Sequence, residues 1–181
     1  GMIDTHFYVP PDKLDRFAQV YAYDDSGELT PSELFPGTDY KTYPDFEAGG
    51  SGLVSTASDY MRFSQMLLNG GELNGTRILS PLTVSLMNRD QSPVGVDISV
   101  FGRGGTSFGL DFAVVTDPVE AESYSKGEYS WGGAAGTWFW IDPVEKIVFI
   151  GMIQVSGAFT PDVRGISHRL LYQSIMEPYG I

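Results

Sequence analysis

The sequence contains no cysteine, which excludes disulfides and thiolate metal sites. Only two histidines are present, His6 and His168. Nothing at ligand spacing accompanies either of them, so neither is expected to bind a metal, and both read as surface or packing residues. Cations are scarce, with 11 Lys and Arg against 23 Asp and Glu, for a formal charge of −12. A chain with no basic stripe cannot neutralise a phosphate backbone, so nucleic acid is not an expected partner, and anionic membrane surfaces are disfavoured for the same reason. The acidity itself reads as a contribution to solubility. No apolar run reaches transmembrane length, the first residues lack a signal-peptide pattern, and no internal repeat is visible. No phosphate-binding or dinucleotide glycine pattern occurs, so no cofactor is expected.

What is present is an ordinary globular composition, 42% hydrophobic and 19% charged over 181 residues. That is enough for a single domain with its own core. The most unusual stretch is Tyr129-Ser130-Trp131-Gly132-Gly133-Ala134-Ala135-Gly136-Thr137-Trp138-Phe139-Trp140. Its first half is nearly devoid of side chains. Glycine weakens a strand, and a strand tolerates it where a ligand or another backbone comes close. The aromatic half supplies strand propensity and burial.

In chain order, residues 1–23 read as a connector interrupted by Pro10-Pro11, with 12–21 open to either a short helix or a strand. Asp24-Asp25-Ser26-Gly27 is a turn signal, and 28–52 read as an ordered loop. A helix is expected from Thr56, which caps it with Asp59 in capping-box position, to a stop at Asn69-Gly70-Gly71. A second helix runs from the Ser80 cap and Pro81 to about Asn88. Residues 89–107 read as irregular. The remainder reads as three antiparallel strands, 108–115, 129–141 and 147–155, the last two joined by a turn at Asp142-Pro143-Val144-Glu145. A terminal helix is expected from about Thr160-Pro161, with Val163, Ile166, Leu170 and Leu171 inward. The expected class is α+β, an antiparallel sheet with flanking helices: 1–52 connector and loop, 53–107 helical, 108–181 strands plus a helix.

Three ordered segments carry a resemblance. They are Gly49-Gly50-Ser51-Gly52-Leu53-Val54-Ser55-Thr56-Ala57-Ser58-Asp59-Tyr60, Leu67-Leu68-Asn69-Gly70-Gly71, and Trp131-Gly132-Gly133-Ala134-Ala135-Gly136-Thr137. Together they resemble the serine β-lactamase and D-Ala-D-Ala peptidase family in its class C and esterase branch. Gly1-Met2-Ile3-Asp4-Thr5-His6-Phe7 also looks like the segment that precedes these motifs. The resemblance covers the C-terminal half of that family. It implies a partial β-lactamase/transpeptidase-like fold and hydrolysis of an ester or amide through an acyl-serine. The family's Ser-x-x-Lys nucleophile motif and Tyr-x-Asn-like loop have no counterpart here. Ser123-Tyr124-Ser125-Lys126 has the spacing but lies in a polar loop without a helical face, where the lysine would not sit one turn from the serine.

By the same resemblance, Trp131, Gly132 and Gly133 occupy the substrate-lining triplet, and the Ala134 N–H is half of an oxyanion hole. Trp131 stands where many relatives carry a cation that helps hold a substrate carboxylate, which favours the esterase-like branch. Because the Ser-x-x-Lys nucleophile motif is absent, the chain is expected to be inactive alone. The alternatives are a non-catalytic binding module or relic, and a structural half that complements a separate N-terminal half. In the resembling fold the last strand is central. Here Ile147 to Val155 would be left as a long apolar edge, from which a homodimer through that strand is expected. Return of residues 1–23 to cover that edge is the alternative.

Overall fold

The computed structural model describes residues 1–35, 37–93, 104–157 and 162–179. Its centre is a five-stranded antiparallel sheet, taken in order from β5 (Thr106–Phe108) through β6 (Ala113–Val115), β7 (Tyr129–Gly132) and β8 (Trp138–Asp142) to β9 (Ile147–Gly151). The expectation of α+β architecture with an antiparallel sheet and flanking helices is met.

Alternation along β8 sorts its side chains between two layers. Phe139 and Ile141 join Met66, Leu67, Val84, Phe112, Val114 and Tyr129 in the main core. That core lies under α1 (Ala57–Leu68) and α2 (Pro81–Met87). Ile141 has no solvent exposure, and each such side chain contributes about 1.5–3 kcal/mol of burial. Trp138, Trp140 and Asp142 are on the opposite face, which is covered by α3 (Val163–Gln173). There the Trp140 ring stacks on Phe149 at 4.1 Å and meets His168 of α3 at 4.9 Å.

Both early helices begin as their sequences dictate. Thr56 Oγ1 accepts from the Asp59 N–H, and Ser80 Oγ accepts from the Thr83 N–H. The carboxylate of Asp59 does not return to the cap as a capping box would have it. Instead, buried at 3% exposure, its Oδ2 accepts from the Asp4 N–H at 2.7 Å and the Thr5 hydroxyl at 3.0 Å. An antiparallel bridge between His6 and Val54 extends this latch. Asp4 in turn receives a two-pronged contact from Arg16 and an ion pair from Lys13 at 2.9 Å. Hydrogen bonds from these two cations hold its carboxyl well below the usual carboxylate range.

Several elements differ from the sequence-based expectations. The connector holds a 3-10 turn, Pro11–Arg16, started by the second of the two prolines read as an interruption, because a proline costs nothing where the N–H is unneeded. It is followed by a hairpin of β1 (Val20–Tyr23) and β2 (Leu29–Ser32) across the Asp24–Gly27 turn. The helical stretch also contains a small hairpin of β3 (Glu72–Leu73) and β4 (Thr76–Arg77). The expected strand over 108–115 is the hairpin β5–β6, turning at 109–112. Likewise 129–141 is two strands, so the main sheet has five strands rather than three.

The expected long strand over 147–155 ends at Gly151. Its last residues form β10 (Val155–Ser156), which pairs in parallel with β1. Residues 20–23 therefore return to 155–156 and leave the β9 edge unpaired among the described residues. β9 pairs antiparallel with β8, the second half of the expected 129–141 strand. On α3, Ile166 and Leu170 are exposed at 46% and 61%, and Gly165 and Tyr172 are buried instead. Val163 and Leu171 are half-buried, so the inward stripe mixes aliphatic side chains with small and polar-tipped ones. The expected start at Thr160-Pro161 lies outside the described residues, as does most of the irregular segment 89–107.

Candidate active site

Residues 133–137 form the tight connection between β7 and β8. The Gly133 N–H donates to Thr137 O at 2.8 Å, and the Gly136 N–H donates to Gly133 O at 3.1 Å. Gly136 takes a left-handed φ of 86°, which a side chain resists. From outside, Val155 N–H holds Ala135 O at 2.9 Å. Arg164 of α3 places Nη2 at 3.2 Å from both Gly133 O and Thr137 O.

The small-residue run thus has an internal explanation. A Cβ on Gly132 would lie 2.2 Å from Arg164 Nη1, one on Gly133 would lie 2.3 Å from Thr137 Oγ1, and one on Gly136 would meet Ile153 at 2.7 Å. These glycines admit the protein's own groups. Ala134 differs from its neighbours: it is exposed, and its N–H donates to no group among the described residues. A free backbone donor at a packed turn is suited to receiving a developing oxyanion without reorganisation.

Trp131 lies on the other side of the strand from Gly132. Its ring stands edge-on to Phe108 at 5.0 Å and remains 39% exposed, so it is not the core aromatic that a buried position would make it. The four residues expected at the site, Trp131, Gly132, Gly133 and Ala134, are contiguous along one strand end and turn, with Arg164 added from α3. Ser123 and Lys126 occupy an irregular loop, with no hydrogen bond between them among the described residues. The Ser123 hydroxyl is enclosed without a hydrogen-bond partner among the described residues. That arrangement lacks the helical turn a Ser-x-x-Lys nucleophile needs. A shallow cavity of about 180 Å³, bounded by Leu67, Gly70, Val84, Asn88, Tyr129 and Pro143, opens at the opposite end of the β7–β8 hairpin, and no residue of the turn lines it. No cluster among the described residues has the ligands for a metal ion.

Under α3 lies a second polar group. Glu128 and Asp142 are 6% and 0% exposed. Tyr172 Oη is 2.6 Å from Asp142 Oδ2 and 2.8 Å from Glu128 Oε2, and His168 Nε2 is 2.9 Å from Glu128 Oε2. Asp142 Oδ1 also accepts the Val144 and Glu145 N–H groups of the following turn. Burial first, then the neighbouring Glu128 charge, pushes the Tyr172 hydroxyl far above the usual phenol range. Neither Arg164 nor this group was singled out from the sequence. Their partners are distant in the chain, and only the docking of α3 brings them together.

With this geometry in place, comparison with known proteins defines the class. The sequence model of the Beta-lactamase family matches residues 1–173, and the chain belongs to that family. Protein Rv1367c of Mycobacterium tuberculosis (strain ATCC 25618 / H37Rv) is 40% identical over 166 residues, spanning 85% of this chain and 40% of its own length. Among solved structures, the fold is similar to EstCE1, a hydrolase with promiscuous acyltransferase activity, at 26% identity and a TM-score of 0.69 over 86% of this chain and 42% of that one. Simvastatin Synthase (LovD) from Aspergillus terreus shares the fold at 22% identity, with a TM-score of 0.76 over 96% of this chain and 47% of that one. The chain spans less than half the length of each of these proteins.

Proposed function

We propose that the chain is the C-terminal portion of a β-lactamase-like serine hydrolase and supplies one wall and one oxyanion donor of its active site. In the whole enzyme a serine contributed by the remaining portion attacks the carbonyl of a small ester or amide. The oxygen gains charge against the Ala134 N–H, the leaving group departs, and water releases the acyl group. The free amide of Ala134, at a turn packed from both sides directly after Trp131-Gly132-Gly133, carries this reading. The exposed Trp131 ring, in place of a cation three residues before that amide, favours an uncharged ester-like substrate, and the similar EstCE1 is a hydrolase with promiscuous acyltransferase activity. Without the nucleophile the chain alone forms no acyl-enzyme, since losing such a group costs several orders of magnitude in rate.

Titration with methylphosphonate, a tetrahedral oxyanion, followed by amide NMR tests the site. The Ala134 resonance is expected to shift while amides around the opposite cavity stay still. A silent Ala134 contradicts the assignment.

The β9 edge supports a second element of the proposal. It is apolar, without charge over 147–151, and has a partner on one side only among the described residues. Exposed edges of this kind recruit another strand, and a second copy pairing antiparallel through β9 makes a two-fold dimer. A separately supplied N-terminal half bound at the same edge is the other reading, and a non-catalytic binding module is a third. Stoichiometric capture of such a half with recovery of esterase activity favours the second over the homodimer. Anion binding at Ala134 without any recoverable turnover favours the third.

A further inference from the structure

We propose that Arg164 is a positioning residue for the oxyanion donor: it aims and polarises the Ala134 N–H. The inference rests on the oxyanion reading above and goes beyond it by assigning the group that makes the donor effective. Gly133 O and Ala134 N–H belong to one peptide unit. That unit is planar and trans, so its C=O and N–H point in opposite directions. Holding the oxygen fixes the direction of the hydrogen.

Gly133 O is held by two donors, the Gly136 N–H within the turn at 3.1 Å and the Arg164 guanidinium at 3.2 Å. Arg164 lies across Gly132, where a Cβ would fall 2.2 Å from Nη1, and also holds Thr137 O at 3.2 Å. One cationic group thus ties both ends of the turn. A cation bonded to a peptide oxygen draws charge from the nitrogen and strengthens its N–H as a donor, the cooperative effect of linked hydrogen bonds. Val155, the other external anchor, grips Ala135 O, one peptide further on, and so does not orient the Ala134 N–H. Gly132 is then glycine because the guanidinium passes over it, which accounts for a small residue in a strand that would otherwise favour a larger one.

The test uses the chain as it exists, ¹⁵N-labelled, with the variants Arg164→Gln, Arg164→Lys and Gly132→Ala. The expected result for Arg164→Gln is an upfield move of the Ala134 amide proton and a fall in its order parameter from the rigid value of about 0.85 toward 0.6. Methylphosphonate affinity at Ala134 should weaken by about 5- to 150-fold, the range in which coupled groups act on one another. Amides of β7 and β8 should keep their positions. Gly132→Ala should reproduce these changes by displacing the guanidinium, and the double variant should add little to either, because both substitutions act on one contact. Arg164→Lys, which keeps the charge but not the fork, should restore the effect only in part.

An Ala134 proton shift and order parameter unchanged in Arg164→Gln would overturn the proposal, whatever the parent chain binds. Full additivity of the two substitutions would overturn it as well. Failure of the parent's Ala134 to respond to methylphosphonate counts against the oxyanion reading instead, so the two failures are separable.

Discussion

Tyr172 Oη lies 2.6 Å from Oδ2 of Asp142, a carboxyl with no solvent exposure. This contact joins α3 to the end of β8, and Glu128 shares the same phenolic hydrogen at 2.8 Å. The junction anchors a helix whose Ile166 and Leu170 face outward. Replacing Tyr172 by Phe keeps the ring but leaves a buried carboxylate short of a donor. The expected loss is about 1.5–3 kcal/mol, the usual worth of a hydrogen bond to a charged group, measured as a shift of the urea midpoint at constant slope. An unchanged midpoint would show that solvent replaces the hydroxyl without cost.

Alkaline pH should dissolve the same core. Burial pushes the Tyr60 hydroxyl from 10.0 up to about 12 and moves Tyr129 in the same direction. Tyr172 joins them, with added repulsion from the carboxylates. A phenol whose folded pKa exceeds its unfolded one contributes stability that is fully present below the unfolded value. That stability is lost as pH rises through the folded value. Unfolding is therefore expected to set in above pH 10 and to be advanced by about pH 12. Tyrosinate absorbance and circular dichroism followed together test this. Titration of all ten tyrosines near their ordinary pKa, with the fold intact, would contradict it.

If the β9 edge pairs with a second copy, light scattering should report twice the chain mass. Hydrogen exchange should then protect the β9 amides that face away from β8, and added salt should strengthen the pair by screening two strongly acidic chains. A monomer with rapidly exchanging outer amides would rule the dimer out. Ile150 is a poor probe of this edge. It packs against the core cluster that also holds Phe139 and Ile141, so Ile150→Lys is expected to unfold the chain by about 2–5 kcal/mol, on the scale of large core losses, rather than simply dissociate it.

The sequence carried local information well and distant pairings poorly. The caps at Thr56 and Ser80, and the stop at Asn69-Gly70, are short-range chemistry and lie where they were read. The hairpins inside 108–115 and 129–141 are hidden in the sequence because their short glycine-containing turns, 109–112 and 133–137, sit between closely spaced strand-forming residues and read as interruptions of one strand. At the second of these, glycines that signalled close approach also form the turn itself. The apolar run over 147–155 concealed a break after Gly151, since its last residues leave β8 to pair with β1. For the site, the order of motifs made Trp131 to Ala134 visible. Arg164 was not, because an arginine at a helix start gives no sign that it will cross a glycine of a strand 32 positions earlier. The junction of Glu128, Asp142, His168 and Tyr172 was hidden for the same reason.

If, as we propose, this chain holds an oxyanion wall without a nucleophile of its own, intact-mass analysis after treatment with a fluorophosphonate probe should detect no adduct. The protein is expected to remain unmodified after prolonged exposure, with Ser123 untouched because its neighbouring Lys126 is not placed to activate it. A stoichiometric adduct on any serine, Ser123 above all, would contradict it.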